Sequence, residues 1–193
     1  VKSAKGPPEI LPFQNGKAFR DWLEENANIS DGIWLKIYKK KSGIASVTYP
    51  EALDEALCFG WIDGQLKSID EKCYMQRFTP RRKKSMWSKR NIENIDRLNR
   101  EGKMTERGWK EVEAARADGR WERAYDSRSN MTVPDDFLKR LSGNKSAAEF
   151  YETLDKTNKF VIGYRLQTAK DKVTREKRIK EILKMLAGKE KFY

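Results

Sequence analysis

Between Arg77 and Arg90 the chain sets seven basic residues and no acidic one. Arg77, Arg81, Arg82, Lys83 and Lys84 fall within one short stretch, followed by Ser85, Trp87, Ser88 and Asn91. The 76 residues ahead of it hold ten basic and eleven acidic side chains, so this segment supplies seven of the chain's twelve net positive charges. Guanidinium and ammonium groups beside hydroxyl and amide donors suit a phosphate, a carboxylate or a nucleic-acid backbone. An indole adds a face on which a base can stack. Pro80 stops a strand and Ser88 is a good N-cap, so Arg81 to Trp87 is predicted as a loop leading into a helix. The free N–H groups and dipole of a helix start favour an anion at that place. All nine residues are therefore candidate anion-binding groups. The same residues also read as a solvated basic loop, with Ser88 as a cap and Trp87 in the core.

Carboxylate chemistry has one candidate. Asp63 sits in Gly60-Trp61-Ile62-Asp63-Gly64, between glycines that let other backbone approach. It is read as an acid–base group with Arg77 or Arg81 as an anion clamp, as a structural ion pair with them, or as a plain turn residue. A second basic face is predicted on the last helix, where Arg175 and Arg178 lie one turn apart; residues 170–193 hold nine basic and four acidic residues.

The chain has no histidine. That excludes Ser-His-Asp and Cys-His nucleophile systems and a His-Glu-x-x-His zinc site. Neither a G-x-x-x-x-G-K-[ST] loop nor G-x-G-x-x-G is present, so no metal or nucleotide cofactor is expected. Cys58 and Cys73 are expected to be reduced, packed thiols.

The elements that hold these residues follow from periodicity. Ile10, Leu11 and Phe13 suggest a short strand, and Phe19, Trp22, Leu23 and Ala27 one face of a helix over 16–27. Ile33, Leu35 and Ile37 alternate with Trp34, Lys36 and Tyr38, the period of a strand. Thr48-x-x-Glu51 with Pro50 is a capping box. The helix it opens is predicted to bury Leu53, Ala56, Leu57 and Trp61 and to end near Gly60. Leu66–Ile69 and Cys73–Thr79 read as two strands. From Ser88 onward the period is helical, and Ile179, Ile182, Leu183 and Leu186 give the last helix a clean apolar face. The expected fold class is α+β, a small antiparallel sheet with helices in the N-terminal part and an all-helical C-terminal module. The expected division is a loose leader at 1–9, an α+β domain over 10–126 and a helical module over 127–193. No apolar run approaches the ~18–20 residues of a membrane span.

Several stretches resemble the YdeI/OmpD-associated, or bacteriocin-protection, family. They are Ala56-Leu-Cys-Phe-Gly-Trp-Ile-Asp-Gly64, Arg77-Phe-Thr-Pro-Arg81 with Ser85-x-Trp87-Ser88-x-x-Asn91, Glu101-Gly-Lys-Met104 and Thr174-Arg175-x-x-Arg178-Ile179. The helical region over 134–187 resembles the family's C-terminal module. The resemblance implies a role in resistance to bacteriocins or cationic antimicrobial peptides and brings no agreed mechanism or cofactor. It also suggests a periplasmic location. The first 30 residues lack the apolar middle of a secretory signal, so a cytoplasmic place is expected instead. The leading expectation is a non-enzymatic binding or stress-protection protein whose partner is anionic, a phosphate-containing small molecule or nucleic acid. The alternative is an enzyme acting on a small anionic substrate through Asp63 with Arg77 or Arg81.

Overall fold

The computed structural model describes residues 9–193, so the predicted leader at 1–9 lies, but for Glu9, outside the described residues. The chain forms two compact units. One contains the described residues up to Ser85 together with Glu93–Ala117, the other Met86–Ile92 together with Asp118–Tyr193. The fold is α+β, with the strands N-terminal and the C-terminal region helical, as the periodicity indicates.

In the first unit, β1 (Ile10–Pro12), β2 (Ile33–Tyr38), β3 (Trp61–Ser68) and β4 (Cys73–Pro80) form a sheet in the order β1-β2-β4-β3. β1 runs parallel to β2, and the other pairs are antiparallel. Because successive side chains alternate between faces, Ile33, Leu35 and Ile37 turn one way and are buried. Phe78 lies opposite Ile33 and joins that face. Helix α1 (Gly16–Asn26) covers it, capped by Asn15, whose side chain accepts the Ala18 N–H at 2.9 Å. Phe19 and Leu23 of α1 are buried, and the Phe19 ring lies 5.7 Å from that of Phe78.

Helix α2 (Tyr49–Cys58) starts at the predicted capping box, with both reciprocal bonds between Thr48 and Glu51 formed. It ends near Gly60, as the sequence suggests, but without Trp61. Gly60, at φ +69, reverses the chain immediately, so Trp61 opens β3 rather than extending the helix. Trp61 is buried all the same, from the sheet side, and its Nε1–H donates to the Ala27 carbonyl at 3.3 Å. The predicted Leu66–Ile69 strand is thus the far end of a longer one, with a register shift between Asp63 and Leu66. Helix α3 (Lys89–Arg100) contributes Ile95 and Leu98 to this unit's core, and Arg97 pairs with Asp54 at 2.6 Å. Helix α4 (Glu106–Ala117) meets the C-terminus of α2: the Thr105 hydroxyl donates to the Cys58 carbonyl at 2.6 Å.

Both cysteines are free and buried. Burial pushes the Cys58 thiol up to about 11. Burial and then the hydrogen bond to Asp70 raise that of Cys73. A thiol at about 11 is only about one part in a thousand ionised at pH 8. The folded protein should therefore resist alkylation by iodoacetamide at that pH, while urea-unfolded chain takes up two adducts by mass spectrometry. Two adducts at equal rates in both states would contradict this packing. Because the folded-state thiol pKa is raised, Cys58 favours the fold fully below the unfolded thiol range near 8.5, and loses that effect as pH rises through about 11.

In the second unit, α5 (Asp135–Ser142), α6 (Lys145–Glu152), α7 (Lys156–Gln167) and α8 (Lys172–Ala187) enclose a core that includes Phe137, Leu141, Ile162, Leu166, Ile179, Ile182 and Leu186. The apolar face read on α8 is the one buried. Asn144, Asp155 and Asp171 cap α6, α7 and α8 by accepting the N–H three residues on. Gln167 ties the irregular stretch before α5 to α7, donating to Asp126 at 2.7 Å and to the Thr132 carbonyl at 3.0 Å.

Candidate anion site

The basic segment is shared between the two units, Arg77 to Ser85 in the first and Trp87 to Asn91 in the second. In the first unit Arg77 lies on β4 opposite Trp34. Its Nη2 donates to the Asp31 carbonyl at 3.4 Å, and its guanidinium carbon is 6.0 Å from the Trp34 ring centre. Nη1 is out of solvent and without a hydrogen-bond partner among the described residues. Burial lowers the guanidinium from its ordinary value, against the opposing pull of Asp31.

Arg81 is not the solvated loop cation the sequence suggests. It is 6% exposed, and its backbone N–H donates to the Gly60 carbonyl at 3.0 Å. Arg82, Lys83 and Lys84 are exposed. They sit on a tight turn closed by Ser85, whose N–H donates to the Arg82 carbonyl at 2.8 Å and whose hydroxyl accepts the Arg82 N–H at 3.3 Å. The Ser85 hydroxyl therefore shapes the turn.

Trp87, Ser88 and Asn91 are placed differently from an open ligand site. Trp87 is 1% exposed and packs on Trp121, ring centres 5.0 Å apart, so it offers no face for stacking. Ser88 and Asn91 are buried as well. The Ser88 hydroxyl caps α3 by accepting the Asn91 N–H at 3.2 Å. The Lys89 N–H donates to the Tyr125 carbonyl at 2.8 Å, in a short parallel bridge between Ser88 and Tyr125. Two first-turn N–H groups of α3 are thus already bound by protein, and Lys89 itself pairs with Asp126 at 2.7 Å.

Asp63 and Arg77 do not converge. Asp63 is paired with Phe78 and shares its helix-covered face, where it accepts the Tyr49 hydroxyl at 3.0 Å. Arg77, one residue before Phe78, turns to the opposite face. On α8, Arg175 forms a two-pronged pair with Asp136, one arm at 2.8 Å. Arg178 donates to the Arg165 carbonyl at 2.5 Å. Both arginines hold helices of their own unit together. Among the described residues no group of three Cys, Asp or Glu is placed to hold a metal ion. No helix among them is long and apolar enough to cross a membrane.

The sequence pattern alone did not single out the far face of the sheet. Trp34, Lys36 and Tyr38 of β2 turn there with Arg77 of β4 and Lys67 of β3. The Lys67 ammonium lies 4.6 Å from the Trp34 ring centre, and that of Lys36 4.9 Å from Tyr38. The available signal was the alternation in Ile33–Tyr38, whose polar phase carries rings and a cation instead of ordinary solvent-facing residues.

Residues 130–189 match the family model described as Bacteriocin-protection, YdeI or OmpD-Associated. This C-terminal region belongs to the YdeI/OmpD-associated family. Residues 11–111, more than half of the chain, match a second model, described as a domain of unknown function (DUF8412), and the chain belongs to that family. The YdeI/OmpD-associated match covers α5 to α8 and the Thr174–Ile179 stretch. The other resembling stretches, Ala56–Gly64, Arg77–Asn91 and Glu101–Met104, lie within the DUF8412 match. No curated protein and no solved structure matches the chain.

Proposed function

We propose that this protein is a non-enzymatic binder of polyanions, nucleic acid above all, and that Arg82, Lys83 and Lys84 make its first contact with phosphate. The observation that carries the reading is three successive exposed cations on one tight turn, none ion-paired among the described residues. Cations left free to exchange small counterions for phosphates favour binding through ion release. A net charge of +12 draws an anionic partner in at long range. The separation of Asp63 from Arg77 supports binding over catalysis. Two buried, free thiols suit a reducing compartment, in keeping with a cytoplasmic place of work. The bacteriocin-protection description fits an indirect role, because a chain this basic repels cationic peptides.

A labelled oligonucleotide titrated at several salt concentrations tests the reading. Binding should weaken steeply with salt. Replacing Arg82, Lys83 and Lys84 together by alanine should reduce the log–log slope by about 2, at ~0.7–0.9 for each phosphate no longer neutralised. Exposed positions of this kind should leave the melting temperature nearly unchanged. No binding at low salt, or binding indifferent to salt, would remove the proposal.

A further inference from the structure

The far face of the sheet carries more than charge. Its register positions are Ile10 and Pro12 on β1, Trp34, Lys36 and Tyr38 on β2, Cys73, Met75, Arg77 and Thr79 on β4, and Ile62 and Lys67 on β3. Among these there is no carboxylate. At the sheet's ends, the Asp70 carboxylate accepts the Lys72 and Cys73 N–H groups at 2.7 and 2.8 Å and Asp31 offers Arg77 a carbonyl; the charges of these two rim residues also act on Lys36 and Arg77 respectively. The contacts of α1 and α2, Phe19 with Phe78 and Tyr49 with Asp63, put both helices on the other face.

Two rings and three cations are interleaved here. Trp34 and Tyr38 stand four residues apart on one strand, about 13 Å at the usual rise. Lys67 and Arg77 lie beside the first ring and Lys36 beside the second. We infer that this face is a platform for single-stranded nucleic acid, with bases on Trp34 and Tyr38 and phosphates on Lys36, Lys67 and Arg77. The inference rests on the nucleic-acid reading above and adds the strand form and the surface that selects it. Every base has a flat face that an aromatic ring can stack on, and the backbone beside it needs cations. A duplex hides those faces inside its own stack, so rings fixed on a sheet gain nothing from it. An acidic peptide would engage the cations and leave the rings unused. Lys67 is exposed and on a flexible stem, so it can leave the Trp34 ring for a phosphate as a base arrives. Arg77 stays where the Asp31 carbonyl holds it.

The test is fluorescence anisotropy with labelled oligothymidylate and oligouridylate of about twelve nucleotides, inside the usual single-strand site range, against a duplex of matched length. At low salt both single strands should bind at least tenfold more tightly than the duplex. The double variant Trp34→Leu with Tyr38→Leu should lose tenfold or more for single strands and nothing for the duplex. Trp34→Phe, which keeps a ring, should lose much less than Trp34→Leu. Lys67→Gln should lower the salt slope by about 0.7, one single-strand phosphate. Tighter binding of oligouridylate would assign RNA as the partner, tighter binding of oligothymidylate DNA, and equal binding the strand form alone. Equal affinity for strand and duplex overturns the platform. So does unchanged single-strand binding by the Trp34 and Tyr38 variant while the Arg82, Lys83 and Lys84 variant loses it, a result that leaves the loop reading intact. Failure of every probe to bind removes both. Should the double variant lose its cooperative melting, the Trp34→Phe and Lys67→Gln results decide by the same criteria.

Discussion

Replacing Gly108 by alanine should destabilise the first unit by about 3 kcal/mol, the upper end for overpacking a tight contact. Helix propensity alone gives the opposite sign, since alanine is favoured over glycine inside a helix by ~1 kcal/mol. Local geometry decides between them. A Cβ at Gly108 would overlap the Cys58 carbonyl oxygen and lie 2.9 Å from its carbon. That carbonyl is backbone at the end of α2 and already accepts from both the Thr105 hydroxyl and the Thr105 N–H. The Thr105 hydroxyl in turn accepts the Gly108 N–H at 3.2 Å, and Arg107 donates to the Phe59 carbonyl at 3.0 Å. The last carbonyls of α2 are thus satisfied by the first turn of α4, negative helix end against positive. A methyl group at Gly108 pushes the two ends apart and loosens all of these bonds together. Gly102→Ala is the control. It has open space around its Cβ and a φ of +67, so only left-handed strain of ~1–2 kcal/mol is expected. Urea unfolding followed by circular dichroism measures both. A Gly108→Ala protein as stable as the parent would contradict the close approach of α4 to α2.

That junction also marks the reach of local sequence signals. The Thr48 capping box, the β2 alternation and the apolar face of α8 are local signals, and each is realised where the pattern puts it. Trp61-Ile62 is a short apolar run that suits the end of a helix as well as the start of a strand. The choice was made by Gly60 at φ +69 and by pairing with Pro80 and Thr79, neither visible in the run itself. The site divides the same way. The charge of Arg82 to Lys84 and their loop were legible, because the neighbouring Pro80 and Ser88 punctuate the chain. Burial of Trp87 depends on Trp121, far along the sequence, and the occupied start of α3 depends on Tyr125. The separation of Asp63 from Arg77 follows from a register that only the folded sheet defines.

Trp87→Ala should cost about 3–5 kcal/mol, the usual range for deleting a buried aromatic. Total stability of a domain is ~5–15 kcal/mol, so the second unit should melt at least ~10 °C lower. The large effect comes from a ring that is 1% exposed and packed against Trp121. The backbone of the same residue accepts the Tyr125 N–H at 3.0 Å, so the cavity lies beside the bridge that fixes the start of α3. Trp87→Phe keeps a ring and most of the buried area, and its cost should be well under half as large. The pair of variants separates packing from ligand stacking. A stacking residue at a surface site would lose affinity at unchanged stability when cut to alanine. Trp87→Ala is expected to do the reverse: lower the melting temperature and, well below it, bind oligonucleotide with the parent's affinity and salt slope. A stable Trp87→Ala protein with weakened binding would return the indole to the ligand site and require that its burial be relieved when ligand arrives.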